Sequence, residues 1–364
     1  MTAGIKQGAP RPGRPLPSAR EEWLYRGVAQ AVPLMMTLEL TKRCNLRCYH
    51  CYVGAPREEL DTTQWIRVVE QLSDLGTAAV GLSGGEIGLR DDWKAIAEAV
   101  RARRMMLSLL TNGTLFDDGD LDDIARLHPV RVSTSLYGAD AHSHELVTGV
   151  EGSFERTVAT IRGLRERGMT VRISTVLMRG VDTEAIERLQ LLAEELDCNF
   201  TYNHTLYPAD DGDKGVTRHR VDDDEFRRFV AAHATDMAIT STVAGRDEDL
   251  PRKEMYSCRA GHSHGFVDAY GLLRPCMGFE PALGDVTKTG VAGVWRGRVA
   301  QAHRRTFAEP LRACGECGIS GYCTARCPRM AALEGGDVLG VDPQACRLAE
   351  AVCEAQRRGN ESAA

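Results

Sequence analysis

No stretch of this 364-residue chain approaches the ~20 consecutive apolar residues that a membrane-spanning helix needs. The first twenty residues, Met1 to Arg20, are rich in Pro, Gly and Arg. They contain no apolar core segment, so they do not form a secretory signal and read as a disordered tail over 1–20. Positive charge is not in excess either. A formal net charge of −6 provides no general electrostatic pull toward nucleic acid or an anionic membrane, and nothing repeats with a fixed period. The expectation is a cytoplasmic protein with no nucleic-acid or membrane partner. Cysteine, by contrast, is plentiful: there are twelve. In a reducing compartment, close-set cysteines are better explained as metal ligands than as disulfides.

With 43% hydrophobic residues, the chain can bury a large domain plus a smaller one. The cysteines divide in the same way. Cys44, Cys48 and Cys51 lie together near the start, Cys198 stands alone, and eight fall between Cys258 and Cys353. Glu21 to Ala31 can form a short helix. Leu34 to Leu40 reads as a buried strand, and a helix capped by Asp61 follows the first cysteines and ends at Gly76. Strand and helix then alternate: strands are expected over 78–82, 105–110, 130–136, 170–177 and 200–206, and helices over 91–103, 120–127, 154–167 and 182–196. This alternation implies a parallel sheet with right-handed crossovers. Six units favour a partial (β/α)6 barrel over a two-layer open sheet, with active residues at the carboxyl ends of the strands. The expected division is 21–244 for the barrel and 245–364 for a cysteine-rich domain. A polar linker over 245–253 opens the second part.

The segment TKRCNLRCYHC, residues 41–51, places three cysteines at CxxxCxxC spacing directly after the first strand. Three thiolates on one loop can hold three irons of a 4Fe–4S cube and leave the fourth iron open. A structural zinc site normally takes four ligands as paired CxxC knuckles, which this spacing fits poorly. The arrangement resembles the radical SAM superfamily, and further matches follow in order. Gly84-Gly85-Glu86 ends the second strand, as does the family motif that binds the amino group of S-adenosylmethionine (SAM). Asn112 ends the third strand, Ser135 the fourth, and Ser174 and Thr175 lie on the fifth; polar groups at these places contact the SAM ribose and carboxylate in relatives. His50 stands where relatives often carry an aromatic ring against adenine. The resemblance implies reductive cleavage of SAM to a 5′-deoxyadenosyl radical that abstracts a hydrogen atom from substrate. It also implies a reducing electron donor such as flavodoxin or ferredoxin. Read without the family, Asn112 is a turn residue, Ser135 makes a strand-end hydrogen bond, and His50 packs a loop.

The second group reads Cys258-x12-Gly271-x4-Cys276, then Cys314-x2-Cys317-x5-Cys323-x3-Cys327, then Cys346. A zinc ribbon built from Cys314, Cys317, Cys323 and Cys327 would leave three cysteines unexplained. The pattern resembles the SPASM domain, a radical SAM extension that carries auxiliary clusters. The resemblance assigns Cys314, Cys317, Cys323 and Cys346 to one cluster, and Cys258, Cys276 and Cys327 to a second that lacks a cysteine at its fourth position. Three 4Fe–4S clusters are therefore expected. Cys353, Cys198 or a substrate thiol could complete the second auxiliary cluster, although free cysteines are usually packing residues.

Most SPASM proteins that this chain resembles modify ribosomally made precursor peptides, by crosslinking, epimerisation or oxidation. Others act on sugars and tetrapyrroles. The alternatives are a small-molecule dehydrogenase or epimerase and a non-catalytic iron–sulfur electron carrier. Only about thirty residues precede the first strand, too few for the leader-binding module many peptide maturases carry. A separate leader-peptide-binding protein, or a small substrate, is therefore expected. Tyr202, Asn203, His204 and Tyr207 at the end of the sixth strand, with Cys353, are the candidates for substrate work. His142, His144, His262 and His264 read as solvated, and Asp222 to Asp224 as a charge cluster opening a helix.

Overall fold

In the computed structural model the described residues are 27–54, 57–209, 212–233, 258–306, 314, 317–319, 322–323 and 326–362. The expected tail and linker lie outside them, as do residues 21–26 of the helix expected over 21–31. Six strands follow in turn: β1 (Met35–Glu39), β2 (Ala79–Ser83), β3 (Met106–Thr111), β4 (Arg131–Ser135), β5 (Val171–Val176) and β6 (Asn199–Asn203). The helices between and after them are α1 (Thr62–Asp74), α2 (Trp93–Ala102), α3 (Asp118–Leu127), α4 (Ala141–Thr148), α5 (Ser153–Glu166), α6 (Thr183–Glu195) and α7 (Asp223–His233). Aspartates start several of them: Asp61 caps α1 in a box with Gln64, Asp117 caps α3, Asp140 caps α4 and Asp182 caps α6, each offering a carboxylate to an otherwise unpaired N–H. The cluster Asp223, Asp224 and Glu225 forms the first turn of α7.

Each of these strands runs parallel to the next in chain order, β1 to β6. A doubly wound sheet reverses its order once, and this one does not. Right-handed crossovers in one direction place every connecting helix on the same face. The side chains agree. Met36, Leu38, Val80, Leu82, Leu107, Leu109, Val132 and Ile173 are buried on the helix side. Their neighbours Thr37, Gly81, Ser108, Ser133, Ser135 and Ser174 are small or hydroxyl-bearing and only partly covered. Period-two alternation thus separates a buried apolar outer face from a partly covered inner one, on which the exposed Met35, Met106 and Leu110 stand among these small and hydroxyl-bearing residues, the arrangement of a partial (β/α)6 barrel.

The C-terminal part consists of β7 (His264–Val267), β8 (Leu272–Arg274), β9 (Gly284–Asp285), α8 (Val286–Trp295), α9 (Arg298–Thr306), α10 (Pro328–Gly335) and α11 (Pro343–Ser362). Strand β7 pairs in parallel with β1, Met35 opposite His264 and Leu38 opposite Val267. The sheet therefore continues through both parts as nine strands, β6-β5-β4-β3-β2-β1-β7-β8-β9. Sequence reading separates the two parts, but hydrogen bonding joins them, because β1 would otherwise leave an unpaired strand edge. Helix α4 is also additional. Its eight residues carry only Leu146 and Val147 as large apolar side chains, too few to show a helical period.

Leu107, the second residue of β3, is fully buried. The substitution Leu107→Ala is expected to cost about 2–5 kcal/mol, seen in urea unfolding as a lower midpoint at unchanged slope.

Candidate functional site

All three N-terminal cysteines lie in the loop after β1, and the turn after β2 holds that loop by its backbone. Gly85 N–H donates to the Thr41 carbonyl at 2.7 Å and Glu86 N–H to the Arg43 carbonyl at 2.8 Å. A Cβ at Gly84 would stand 2.6 Å from the Thr41 oxygen, and one at Gly85 would stand 2.3 Å from the Arg43 oxygen. Both neighbours are backbone atoms, so neither can swing aside. The two glycines are thus required by the approach of the cysteine loop.

Glu86 is 1% exposed. Its Oε1 accepts from Thr111 Oγ1 at 2.7 Å and Gly88 N at 3.0 Å, and its Oε2 from Asn112 N at 2.6 Å. Burial pushes its carboxyl above the usual range, against the pull of these hydrogen bonds. Asn112 carries the linkage on. Its Nδ2 donates to Asn45 Oδ1 at 2.9 Å, and its Oδ1 accepts from Thr114 N and Oγ1 at 2.9 and 2.6 Å. Asn45, beside Cys44, closes the ring by donating to Thr114 Oγ1 at 2.7 Å. The ends of β2 and β3 and the cysteine loop are therefore one hydrogen-bonded unit.

Sequence reading did not single out the residues that anchor the other side. Glu59 Oε1 accepts from Thr41 Oγ1 at 2.9 Å and from Lys42 N at 2.7 Å. The buried Arg90 donates to the Leu40 and Leu60 carbonyls at 2.9 and 3.1 Å. Asp92 holds its guanidinium in a fork at 2.8 and 2.7 Å. From α5, Thr157 and Thr160 donate to the carbonyls of Asn112 and Gly113 at 2.8 and 2.6 Å. No motif or period in the sequence marks them.

His50 is buried, and its ring meets the Tyr137 ring edge-on at 4.7 Å. Burial lowers its pKa to about 4, so the imidazole is neutral at pH 7. Its Nδ1 is a buried polar atom without a hydrogen-bond partner among the described residues, as expected of a group that faces a polar ligand. Tyr137, which sequence reading did not assign a role, lies within electrostatic range of Cys48 and Cys51 and hydrogen-bonds Ser135. Ser135 and Ser174 face each other across β4 and β5. His144 is not solvated, contrary to expectation: it is buried, its Nδ1 accepts from Tyr137 N at 3.1 Å, and its ring stacks on Tyr137 at 5.8 Å.

At the C-terminal end, the Cys346 thiol lies within electrostatic range of Cys314, Cys317 and Cys323, and Cys327 within range of Cys258. Tyr207 is in range of both Cys276 and Cys327. The two proposed ligand sets are therefore also two neighbourhoods in space. Among the described residues no three His, Cys, Asp or Glu side chains converge to hold a single metal ion. In a 4Fe–4S cluster each thiolate takes a different iron, and these neighbourhoods supply several cysteines each. Burial and mutual repulsion push Cys48 up to about 12 and Cys346 to about 11 as free thiols, which iron would reverse.

Three expected candidates fail. Tyr202 turns away from the inner face and packs edge-on against Phe229 at 5.1 Å and His233 at 5.4 Å on α7, because alternation along β6 points only every second side chain inward. Cys198 precedes β6, at the amino end of the strand, and donates to the Leu196 carbonyl at 3.4 Å. It is thus at the opposite end of the barrel from Cys44, Cys48 and Cys51. Cys353 is buried in α11, the ordinary place of a free cysteine. His204 is half-buried beside Phe226 and within range of Asp342, at the junction of the two parts.

Comparisons with known proteins agree with this geometry. Residues 38–193 match the radical SAM superfamily, and residues 258–318 match a family described as an iron–sulfur cluster-binding domain, SPASM. The chain is 28% identical over 310 residues to the antilisterial bacteriocin subtilosin biosynthesis protein AlbA of Bacillus subtilis, covering 80% of this chain and 66% of that protein's length. It is 28% identical over 363 residues to a pre-heme d1 synthase of Dinoroseobacter shibae, covering 89% of both. Among solved structures, Streptococcus suis SuiB bound to its precursor peptide SuiA aligns with a TM-score of 0.71 at 19% identity, over 90% of this chain and 80% of that one. No helix among the described residues is long and apolar enough to cross a membrane.

Two outcomes follow. Gly85→Ala is expected to displace the cysteine loop and lower iron incorporation into the first site, read by iron analysis and visible absorbance after reconstitution; an unchanged iron content would contradict it. His144 has its pKa lowered to about 4 by burial, which the nearby Glu155 charge only partly offsets. The unfolded chain gains a proton from pH ~6.5 downward that the fold refuses until about 4, so stability falls as pH drops through that window and is complete above it. His144→Asn is expected to flatten this slope in urea titrations at pH 5 and pH 7.

Proposed function

Because the chain belongs to the radical SAM superfamily and carries a SPASM iron–sulfur domain, we propose that it modifies a ribosomally synthesised peptide by radical chemistry. When bound, SAM and its cluster supply the 5′-deoxyadenosyl radical that removes a hydrogen atom from substrate. The chain's own residues position that event. Cys44, Cys48 and Cys51 are the ligands of the SAM cluster, and no fourth cysteine of their loop competes for the open iron. Gly84 and Gly85 let the loop close against β2. Glu86 and Asn112 hold the loop to β3, and any contact they make with the SAM amino group or ribose comes from atoms already aligned by that ring of hydrogen bonds. Neutral His50, with Nδ1 available and its ring braced by Tyr137, would hold the adenine. Ser135 and Ser174 contribute hydroxyls on the same inner surface.

The observation that carries the peptide reading is the inner face itself. Gly81, Ser108, Ser133 and Ser174 are small or hydroxyl-bearing there, and the exposed Met106 and Leu110 add apolar side chains on the same face, a mixed lining that suits a peptide backbone together with its side chains. The similarity to a subtilosin biosynthesis protein and the likeness in fold to SuiB support the same substrate class. Two auxiliary clusters, held by Cys314, Cys317, Cys323 and Cys346 and by Cys258, Cys276 and Cys327, complete a set of three. Electrons arrive from a flavodoxin or ferredoxin. A second reading, a haem-type macrocycle as substrate, is favoured by one observation: the match to the pre-heme d1 synthase covers 89% of both chains.

Anaerobically reconstituted protein is expected to hold about twelve irons and to release 5′-deoxyadenosine from SAM under strong reduction. Cys48→Ala is expected to abolish that release. Deuterium from a labelled co-encoded peptide should appear in 5′-deoxyadenosine. Deuterium arriving only from a labelled tetrapyrrole would overturn the peptide assignment in favour of the second reading.

A further inference from the structure

The six barrel strands contain three charged residues: Glu39 on β1, Arg131 on β4 and Arg172 on β5. Glu39 is matched by Lys42 at 3.1 Å. The arginines have no such match. Both are half-buried on the inner face, in phase with Ser133 and Ser174 and out of phase with the buried Val132 and Ile173. Register brings them together. Arg172 stands directly opposite Ser133, and Arg131 Nε donates to the hydroxyl of that same serine at 3.1 Å. Two guanidinia on adjacent strands therefore share one small neighbour.

Like charges gathered on a partly covered surface repel, and each loses hydration. Burial, and after it the charge of Arg172, hold the Arg131 guanidinium below its usual range, and no carboxylate among the described residues offsets them. The side chains opposite the pair are uncharged: Ser108 faces Arg131 and Asn199 faces Arg172. An anion is the partner this arrangement lacks. Its position points to the substrate. Arg172 precedes Ser174 by two residues, about 7 Å along the strand, so the pair lies just below the surface assigned to SAM. The exposed Leu110, opposite Ser133, offers apolar contact to the stem of an acidic side chain.

We infer that Arg131 and Arg172 together bind a carboxylate of the substrate peptide on the inner face of the barrel and so fix how deeply the peptide enters. The identity of the ligand as a peptide rests on the function proposed above; the preference for a carboxylate rests on the arginine pair. One carboxylate accepts charge-assisted hydrogen bonds from both guanidinia and relieves their repulsion. Either an acidic side chain or the C-terminus of the peptide supplies it.

The first probe is glutarate, with glutaramide as its neutral isostere, added to anaerobically reconstituted full-length protein at matched ionic strength. Glutarate should raise the thermal midpoint and glutaramide should not. Arg131→Gln and Arg172→Gln should each lose that shift. Arg162→Gln, whose side chain pairs with Glu195 between α5 and α6 at 3.5 Å, should keep it. No shift in the parent protein, or the same shift with both compounds, would overturn the proposal. Without glutarate the double Gln variant should be no less stable than the parent, because a repulsion is removed. A marked loss of stability would show that a carboxylate of the chain itself already occupies the pair, and the proposal would fall. SAM affinity should stay unchanged; weakening in both variants would assign the arginines to the cofactor and overturn it equally.

With the co-encoded peptide, either Gln substitution should raise Kd roughly tenfold to hundredfold. Amidating the peptide's C-terminus, or replacing its acidic residues by their amides, should reproduce that loss in one arm and thereby identify the carboxylate. If neither arm does, the proposal fails. The two layers of inference separate cleanly. A glutarate shift that both variants lose, without any peptide binding, keeps the anion site and sinks the peptide reading. Peptide binding undiminished in both variants sinks the site alone.

Discussion

The site depends on how closely two backbones approach each other. The turn after β2 meets the cysteine loop through Gly85 N–H to the Thr41 carbonyl and Glu86 N–H to the Arg43 carbonyl, with no room for a side chain at either glycine. These contacts set where three thiolates stand relative to the strand ends. Glu86 then uses its buried carboxylate to fasten β3 to the same unit through Thr111 and Asn112. A buried carboxylate is costly unless its oxygens are satisfied, and here three donors meet it. The motif thus acts first as a structural joint. Whatever it offers a ligand is offered from a rigid frame, which positions a reactive group best.

The same logic extends around the loop. Glu59 and Arg90 hold its outer side, and Thr157 and Thr160 support the Asn112 turn from α5. Tyr137 connects His50, Ser135 and His144 into a packed aromatic group beside Cys48 and Cys51. The neutral state of His50 follows from this packing, since burial penalises the charged imidazole.

The C-terminal domain shares the barrel's sheet. Strand β7 pairs with β1, the strand that precedes the cysteine loop, so the two iron–sulfur regions are mechanically continuous. On the other flank, Arg329 and Arg220 fasten the segment after β6 to α10 and the Cys276 loop. The barrel is thereby gripped at both its first and its last strand. Buried arginines suit this task because one planar group satisfies several carbonyls at once.

Local chemistry made much of this legible beforehand. Period-two and helical patterns marked the six β/α units, aspartate caps marked helix starts, and the cysteine spacings marked the two cysteine-bearing regions, because each signal lies within a few consecutive residues. Tertiary structure alone decided the rest. It turned Tyr202 toward Phe229 and Asn203 the other way, placed Cys198 at the wrong end of the barrel, buried His144 and Cys353, and joined β7 to β1. It also showed that Gly84 and Gly85 serve the approach of a distant carbonyl. Each of these depends on what lies opposite a residue in space, and strand pairing and close backbone contact between segments far apart in the chain leave no periodic trace in either one.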